Sequence, residues 1–147
     1  MRAVLDTNVL ASGVVGFLIP LSVPGQLLRA WRDGGFQLAI SGSILTELGR
    51  TLEKPYFQRR LSRTQITRFL ALLQDQALFT PITVQVAGVA THPEDDLILA
   101  TALSAQADHL VTGDRGLLAL GTHQGVRILS PRGFLALLLQ QTGTQLP

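Results

Sequence analysis

Five of the ten acidic residues in this 147-residue chain, Asp6, Glu47, Asp95, Asp96 and Asp114, stand in otherwise apolar surroundings. An ionised carboxylate buried alone is strongly unfavourable, whereas several facing one cavity are neutralised by a divalent cation. The chain has no cysteine, so any metal is held by oxygen or by the three histidines, and the fitting ions are Mg²⁺ or Mn²⁺. These favour carboxylate and water and commonly hold a phosphate as well. Such an ion lowers the pKa of a coordinated water and stabilises charge on a leaving oxygen, which points to phosphodiester chemistry. Each acid also has a plain structural reading. Asp6-Thr7-Asn8 is a candidate turn, Glu47 a solvated helix residue, Asp95 and Asp96 partners of a helix dipole, and Asp114 a turn residue. The inference rests on their occurring together.

Rival carboxylate chemistries fail on particular residues. A receiver domain needs a lysine late in the chain, and Lys54 is the only lysine. A haloacid-type phosphotransferase wants Asp-x-Asp after the first strand, and Asn8 occupies the second acidic position. Neither a Gly-x-x-x-x-Gly-Lys loop, nor a Gly-x-Gly-x-x-Gly fingerprint, nor a Gly-x-Ser-x-Gly elbow is present.

The elements that must position the acids follow from the hydrophobic pattern. The composition is 46% hydrophobic and 15% charged, with mean hydropathy +0.32. That excludes disorder and implies one well-buried domain over residues 1–147. The uncharged stretch from Thr7 to Leu28 is punctuated by Gly13, Gly16, Pro20, Pro24 and Gly25, so it does not read as a membrane span, which needs roughly 20 continuous apolar residues. Asp6 comes too early for a secretory signal. The expectation is a soluble, cytoplasmic protein.

Ala3–Leu5 reads as a buried strand ending at Asp6, followed by a long turn-rich connection. Pro24-Gly25 opens a helix that Gly34-Gly35 ends. Phe36–Ile40 is a second strand, and Ser41 starts a helix with the apolar stripe Ile44, Leu45, Leu48 and Leu52, flanked by Glu47. Pro55 breaks it, and Ser62 begins another. Leu78–Val86 looks extended. Thr91-His92-Pro93-Glu94 has the spacing of a capping box for a helix that carries Asp95 on the buried face of Ile98 and Leu99, with the orientation of Asp96 open. Strands at His109–Thr112 and Val126–Leu129 and a last helix from Pro131 to Gln141 complete the alternation. This predicts an α/β fold, a three-layer α/β/α sandwich around a mostly parallel sheet of about five strands. Ligands in such sheets bind beyond the carboxyl ends of the strands, where Asp6 and Asp114 stand.

The cations are as unevenly placed as the acids. Arg50, Lys54, Arg59, Arg60, Arg63 and Arg68 lie within nineteen residues against the single acid Glu53, with Tyr56 and Phe57 among them. A basic strip with interleaved aromatics grips phosphates and stacks bases, although a charge run is also the ordinary signature of a solvated face.

The motifs together resemble the PIN-domain ribonucleases, which include the VapC-like toxins of bacterial toxin-antitoxin systems. Val4-Leu5-Asp6-Thr7-Asn8-Val9-Leu10 resembles the family's first motif, with Asp6 as a metal ligand and Asn8 as a nearby polar contact. Ser43-Ile44-Leu45-Thr46-Glu47-Leu48 resembles the second, with Glu47 as its acid. The segment His92 to Ala102 resembles the third, and matching Ala100-Thr101-Ala102 places the acid at Asp95, with Asp96 beside it as a possible further ligand. Leu110-Val111-Thr112-Gly113-Asp114 resembles the fourth. The third motif often begins Asp-Pro, and His92 stands there instead.

The resemblance implies catalytic and metal-binding roles for Asp6, Glu47, Asp95 and Asp114, with Thr7, Asn8 and Thr112 as polar support. It also implies Mg²⁺ or Mn²⁺, cleavage of single-stranded RNA to 5′-phosphate and 3′-hydroxyl ends, a homodimer, and a small antitoxin partner. The six cations from Arg50 to Arg68 are then the expected grip on RNA or on an acidic antitoxin segment. The alternative from a different class is a non-toxic RNA-processing factor or a catalytically silent interaction module.

Overall fold

The computed structural model describes residues 1–143. The chain runs β1 (Arg2–Leu5), α1 (Thr7–Gly16), α2 (Val23–Arg32), β2 (Gln37–Ile40), α3 (Gly42–Leu52), α4 (Pro55–Gln58), α5 (Arg63–Gln76) and β3 (Leu78–Phe79). It continues with α6 (Pro93–Ser104), β4 (His109–Val111), α7 (Arg115–Leu120), β5 (Thr122–His123), β6 (Val126–Leu129) and α8 (Pro131–Gly143). The sheet order is β3-β2-β1-β4-β6-β5. Five strands are parallel, and the sixth, β5, is a two-residue antiparallel edge paired to β6. Helices flank the sheet in the three-layer α/β/α arrangement that the alternation predicts.

The order places the candidate site. From β1 the chain steps outward to β2 and β3, and from β4 it steps the other way to β6, so the direction reverses between β1 and β4. These two strands pair in parallel with Leu5 opposite Val111, and Asp6 continues the ladder by donating its N–H to the Val111 carbonyl at 2.9 Å. A crevice opens where strand order reverses, and Asp6 and the Thr112–Asp114 segment form its floor. Val4, Leu5, Leu110 and Val111 beneath them are fully buried.

Three expectations change. The long connection after Asp6 is mostly helix: Asp6 caps α1, and Val9, Leu10 and Ala11 are buried. The glycines there serve close packing rather than turns. A Cβ on Gly16 would stand 1.9 Å from the Ser22 hydroxyl oxygen, and one on Gly25 would stand 2.1 Å from the Gly16 carbonyl oxygen. The α1–α2 crossing is therefore too tight for any side chain at those positions. The expected strand Leu78–Val86 is only two residues long, because beyond Phe79 the Thr83 and Val84 N–H groups donate to the Ser104 hydroxyl of α6 rather than to a strand. The capping box at Thr91–Glu94 does not form. His92 is the N-cap of α6 and makes no side-chain bond, and the first turn carries Glu94, Asp95 and Asp96 against the positive end of the helix dipole.

Candidate active site

Asp6, Glu47, Asp95 and Asp114 line one cavity of about 520 Å³, together with Asn8, His92, Glu94, Ile98 and Gly113. They arrive from the end of β1, from α3, from α6 and from the turn after β4, so residues more than a hundred positions apart in sequence face one space. The carboxylates in its wall, Asp6, Glu47, Glu94, Asp95 and Asp114, all carry charge of one sign.

Two of the acids are held by the floor of the crevice. The Thr112 hydroxyl, fully buried, donates to Asp6 Oδ2 at 2.6 Å and accepts the Asp114 N–H at 3.0 Å. Asp6 Oδ1 accepts the Asn8 N–H at 3.2 Å, and Asp114 Oδ2 accepts the Leu117 N–H at 2.8 Å, capping α7. One hydroxyl thus fixes the spacing of both strand-end carboxylates. Substituting Thr112 by Val keeps the shape and removes both bonds. We expect a loss of about 2–3 kcal/mol, the usual worth of a hydrogen bond to a charged group plus an unpaired buried N–H. Urea denaturation measures it, and Thr112→Ser should restore most of it.

Glu47 and Asp95 are held differently. Neither carboxylate makes a hydrogen bond or ion pair among the described residues. Burial raises the pKa of Asp95 from 3.8 to about 6, with repulsion from Asp114 and Asp6 adding to it and His92 opposing. Burial likewise raises the pKa of Glu47, reinforced by Asp6 and Glu94, while Lys54 and Arg50 pull it down. The pull of the nearby cations on Glu47 and of His92 on Asp95 is thus outweighed by burial and by the neighbouring carboxylates. Among the described residues no three Asp, Glu or His side chains close on a single point. The donor set is all oxygen apart from the His92 imidazole, which fits a hard divalent ion.

Asp96 departs from this group. It is 8% exposed and turns away from the cavity, where Oδ2 accepts the Gly88 N–H at 3.0 Å and Oδ1 accepts the Ala90 N–H at 2.7 Å. The expected burial of Asp95 against Ile98 and Leu99 is correspondingly corrected: Asp95 is the partly exposed, cavity-facing carboxylate, and Asp96 is the buried one. Thr7, expected as polar support, is buried, with a hydroxyl that has no hydrogen-bond partner among the described residues, and it is not among the residues lining the cavity. His92, without an expected role, stands at the rim with Glu94.

Two residues noted in the sequence for other reasons, Ser41 as a helix start and Thr101 within the third motif, make a contact that the sequence did not announce. Ser41 caps α3 by accepting the Ile44 N–H at 3.3 Å, and its hydroxyl shares a 2.9 Å hydrogen bond with that of Thr101 on α6. This buried pair ties the helix of Glu47 to the helix of Asp95. The signal was a threonine on the buried side of an otherwise apolar stripe.

Among solved structures, one of VapBC2 from Rickettsia felis bound to a DNA fragment from their promoter matches with TM-score 0.58. It covers 88% of this chain and 98% of that chain, at 16% identity, which is a likeness of fold. No curated protein matches this chain. The family model described as PIN domain matches residues 2–116, a span that holds every acid of the cavity, and the chain belongs to the PIN domain family.

Proposed function

We propose that this chain, as a single domain over residues 1–147, is a metal-dependent endoribonuclease that cuts single-stranded RNA, and that it is the toxin of a type II toxin-antitoxin pair. The observation that carries the reading is the meeting of Asp6, Glu47, Asp95 and Asp114 in one cavity at the carboxyl ends of β1 and β4 in a PIN-family chain. These four carboxylates would hold Mg²⁺ or Mn²⁺, with Asp96 assigned instead to holding the loop before α6. When bound, the ion supplies charge neutralisation for the phosphate and an activated water for attack on phosphorus.

The chain's own contribution is placement. Thr112 and the backbone N–H groups of Asn8 and Leu117 keep the Asp6 and Asp114 carboxylates oriented before substrate arrives, so no reorganisation is needed during reaction. Ser41 and Thr101 hold Glu47 and Asp95 on their helices at a set separation. Hydrolysis joins the water oxygen to phosphorus, breaks the bond to O3′ and returns a proton to that oxygen, leaving 5′-phosphate and 3′-hydroxyl ends.

The antitoxin part of the proposal draws support from a second, apolar cavity of about 350 Å³ between α1, α2 and α5. Val14, Phe17, Leu28, Trp31 and Phe69 line it, and Arg32 and Arg68 stand at its edge. Leu18, which also lines it, is 79% exposed. An amphipathic segment bearing a carboxylate matches both its apolar wall and its cationic rim. We place the protein in a homodimer in the cytoplasm; no helix among the described residues is long and apolar enough to cross a membrane.

The test is cleavage of a mixed single-stranded RNA pool in Mn²⁺, with a chelator control and with Asp95→Asn. Loss of cleavage in both controls supports the reading. Activity that survives the substitution refutes the assigned site, and an inactive wild type across RNA pools favours a silent interaction module.

A further inference from the structure

The short helix α4 presents an aromatic ring that the core does not use. Tyr56 is 50% exposed, yet two neighbours, Arg60 and Phe57, hold its position. The Arg60 guanidinium carbon lies 3.7 Å from the ring centroid. The same guanidinium donates through Nη1 to the Tyr56 carbonyl at 2.8 Å. Phe57, half-buried against the core, meets the ring edge-on at 5.0 Å. An exposed ring kept in place by partners rather than by burial is preorganised to accept a planar ligand.

Among the described residues the charges around it form no ion pair. Arg50, Lys54, Arg59, Arg60, Arg63 and Arg68 are all exposed, and the only ion pair among the described residues is Arg32 with Asp33 elsewhere on the surface. A solvated helix face ordinarily alternates signs so that neighbours pair; this one does not. The strip begins beside the acidic cavity, since Arg50 stands about one turn after the cavity-lining Glu47 on α3. Glu47, the cations Arg50 and Lys54, and the exposed Tyr56 ring thus follow one another along α3 and α4.

We propose that Tyr56, backed by Arg60, stacks a base of single-stranded nucleic acid, with Arg50, Lys54 and Arg59 on the flanking phosphates, so that the neighbouring phosphodiester enters the carboxylate cavity. This rests on the nuclease reading for the purpose of the platform, though not for its existence. Stacking on a ring tolerates any base but requires an unstacked one, so the platform selects single strands over duplex.

The experiment is fluorescence anisotropy with a labelled 12-nucleotide RNA, single-stranded and as duplex, in chelator so that binding is read without cleavage. Tyr56→Ala should weaken single-strand binding about 10-fold or more, with duplex binding and the salt dependence unchanged, while Tyr56→Phe keeps wild-type affinity. Lys54→Gln should weaken both forms and lower the slope of log affinity against log salt by about one. Because Tyr56 is a surface residue, an unchanged melting temperature accompanies the expected result. Equal single-strand affinity for wild type and Tyr56→Ala overturns the proposal. So does an equal loss for single strand and duplex, or displacement of RNA by polyglutamate as effectively as by unlabelled RNA, which would assign the strip to an acidic protein. An uncleaving wild type whose binding still depends on Tyr56 refutes the nuclease reading and leaves the platform standing. Cleavage with Tyr56-independent binding does the reverse.

Discussion

Replacing Asp95 by Asn should lower RNA cleavage by about 10²-fold or more, the scale set by removing one electrostatic contributor to a transition state, and at the same time make the metal-free protein more stable at pH 8. The two effects have one origin. The folded Asp95 carboxyl binds its proton more tightly than in the unfolded chain, with its pKa moved from 3.8 to about 6. A raised folded pKa means that the associated stability is fully present below pH 3.8 and is lost as pH rises through about 6. Above that pH the fold bears in full the desolvation of the ionised Asp95 carboxylate, together with its repulsion from Asp114 and Asp6. Asn carries no charge at any pH and relieves it. Allowing for solvent screening of a partly exposed group, the gain is on the order of 1 kcal/mol, or about 3 °C in melting temperature for a chain of this size. The gain should vanish toward pH 4, where Asp95 is protonated anyway.

The same variant distinguishes a metal site from a merely strained cluster. A cation that binds only the folded state stabilises it by an amount that grows with its concentration. Thermal melts in chelator and in Mn²⁺ should therefore show a large upward shift for wild type and a much smaller one for Asp95→Asn. Equal shifts for both, or a variant less stable than wild type in chelator at pH 8, would remove Asp95 from the ligand set.

How far the site was legible in the sequence depends on where each determinant lies. Asp6 and Asp114 were readable because a short apolar strand followed by an acid announces a strand end, and parallel strands share their carboxyl ends. Glu47 was readable from its place beside the stripe of α3. Asp95 and Asp96 could not be told apart by periodicity, since adjacent helical residues point only about 100° apart and both flank the same apolar face. What separates them is the fold of residues 81–91, which brings the Gly88 and Ala90 N–H groups over α6, and no local pattern encodes that return. The helix α1 was hidden for a similar reason. Gly13, Gly16 and Gly25 look like turn formers until Leu28, Ser22 and the Gly16 carbonyl are seen filling the space a side chain would take.

Asp96→Ala is the second large effect expected, and it separates a positioning carboxylate from a metal-binding one. Asp96 spends both oxygens on the backbone of residues 88 and 90, and Gly88 sits at φ +71°, a conformation that favours glycine and makes the turn specific. Truncation removes two charge-assisted bonds and leaves the Gly88 N–H to solvent and the Ala90 N–H half-buried, for a loss of about 2–3 kcal/mol. The loop that feeds His92 and Glu94 to the cavity rim then loses its anchor, so proteolysis within residues 81–91 should accelerate and cleavage should fall. Asp96→Asn retains one acceptor oxygen and should lie between wild type and alanine on both measures. The stabilisation conferred by Mn²⁺ should persist in Asp96→Asn, because the four cavity carboxylates are intact. If Mn²⁺ stabilisation disappears in Asp96→Asn as it does in Asp95→Asn, Asp96 is a ligand and the division of labour between these adjacent acids is wrong.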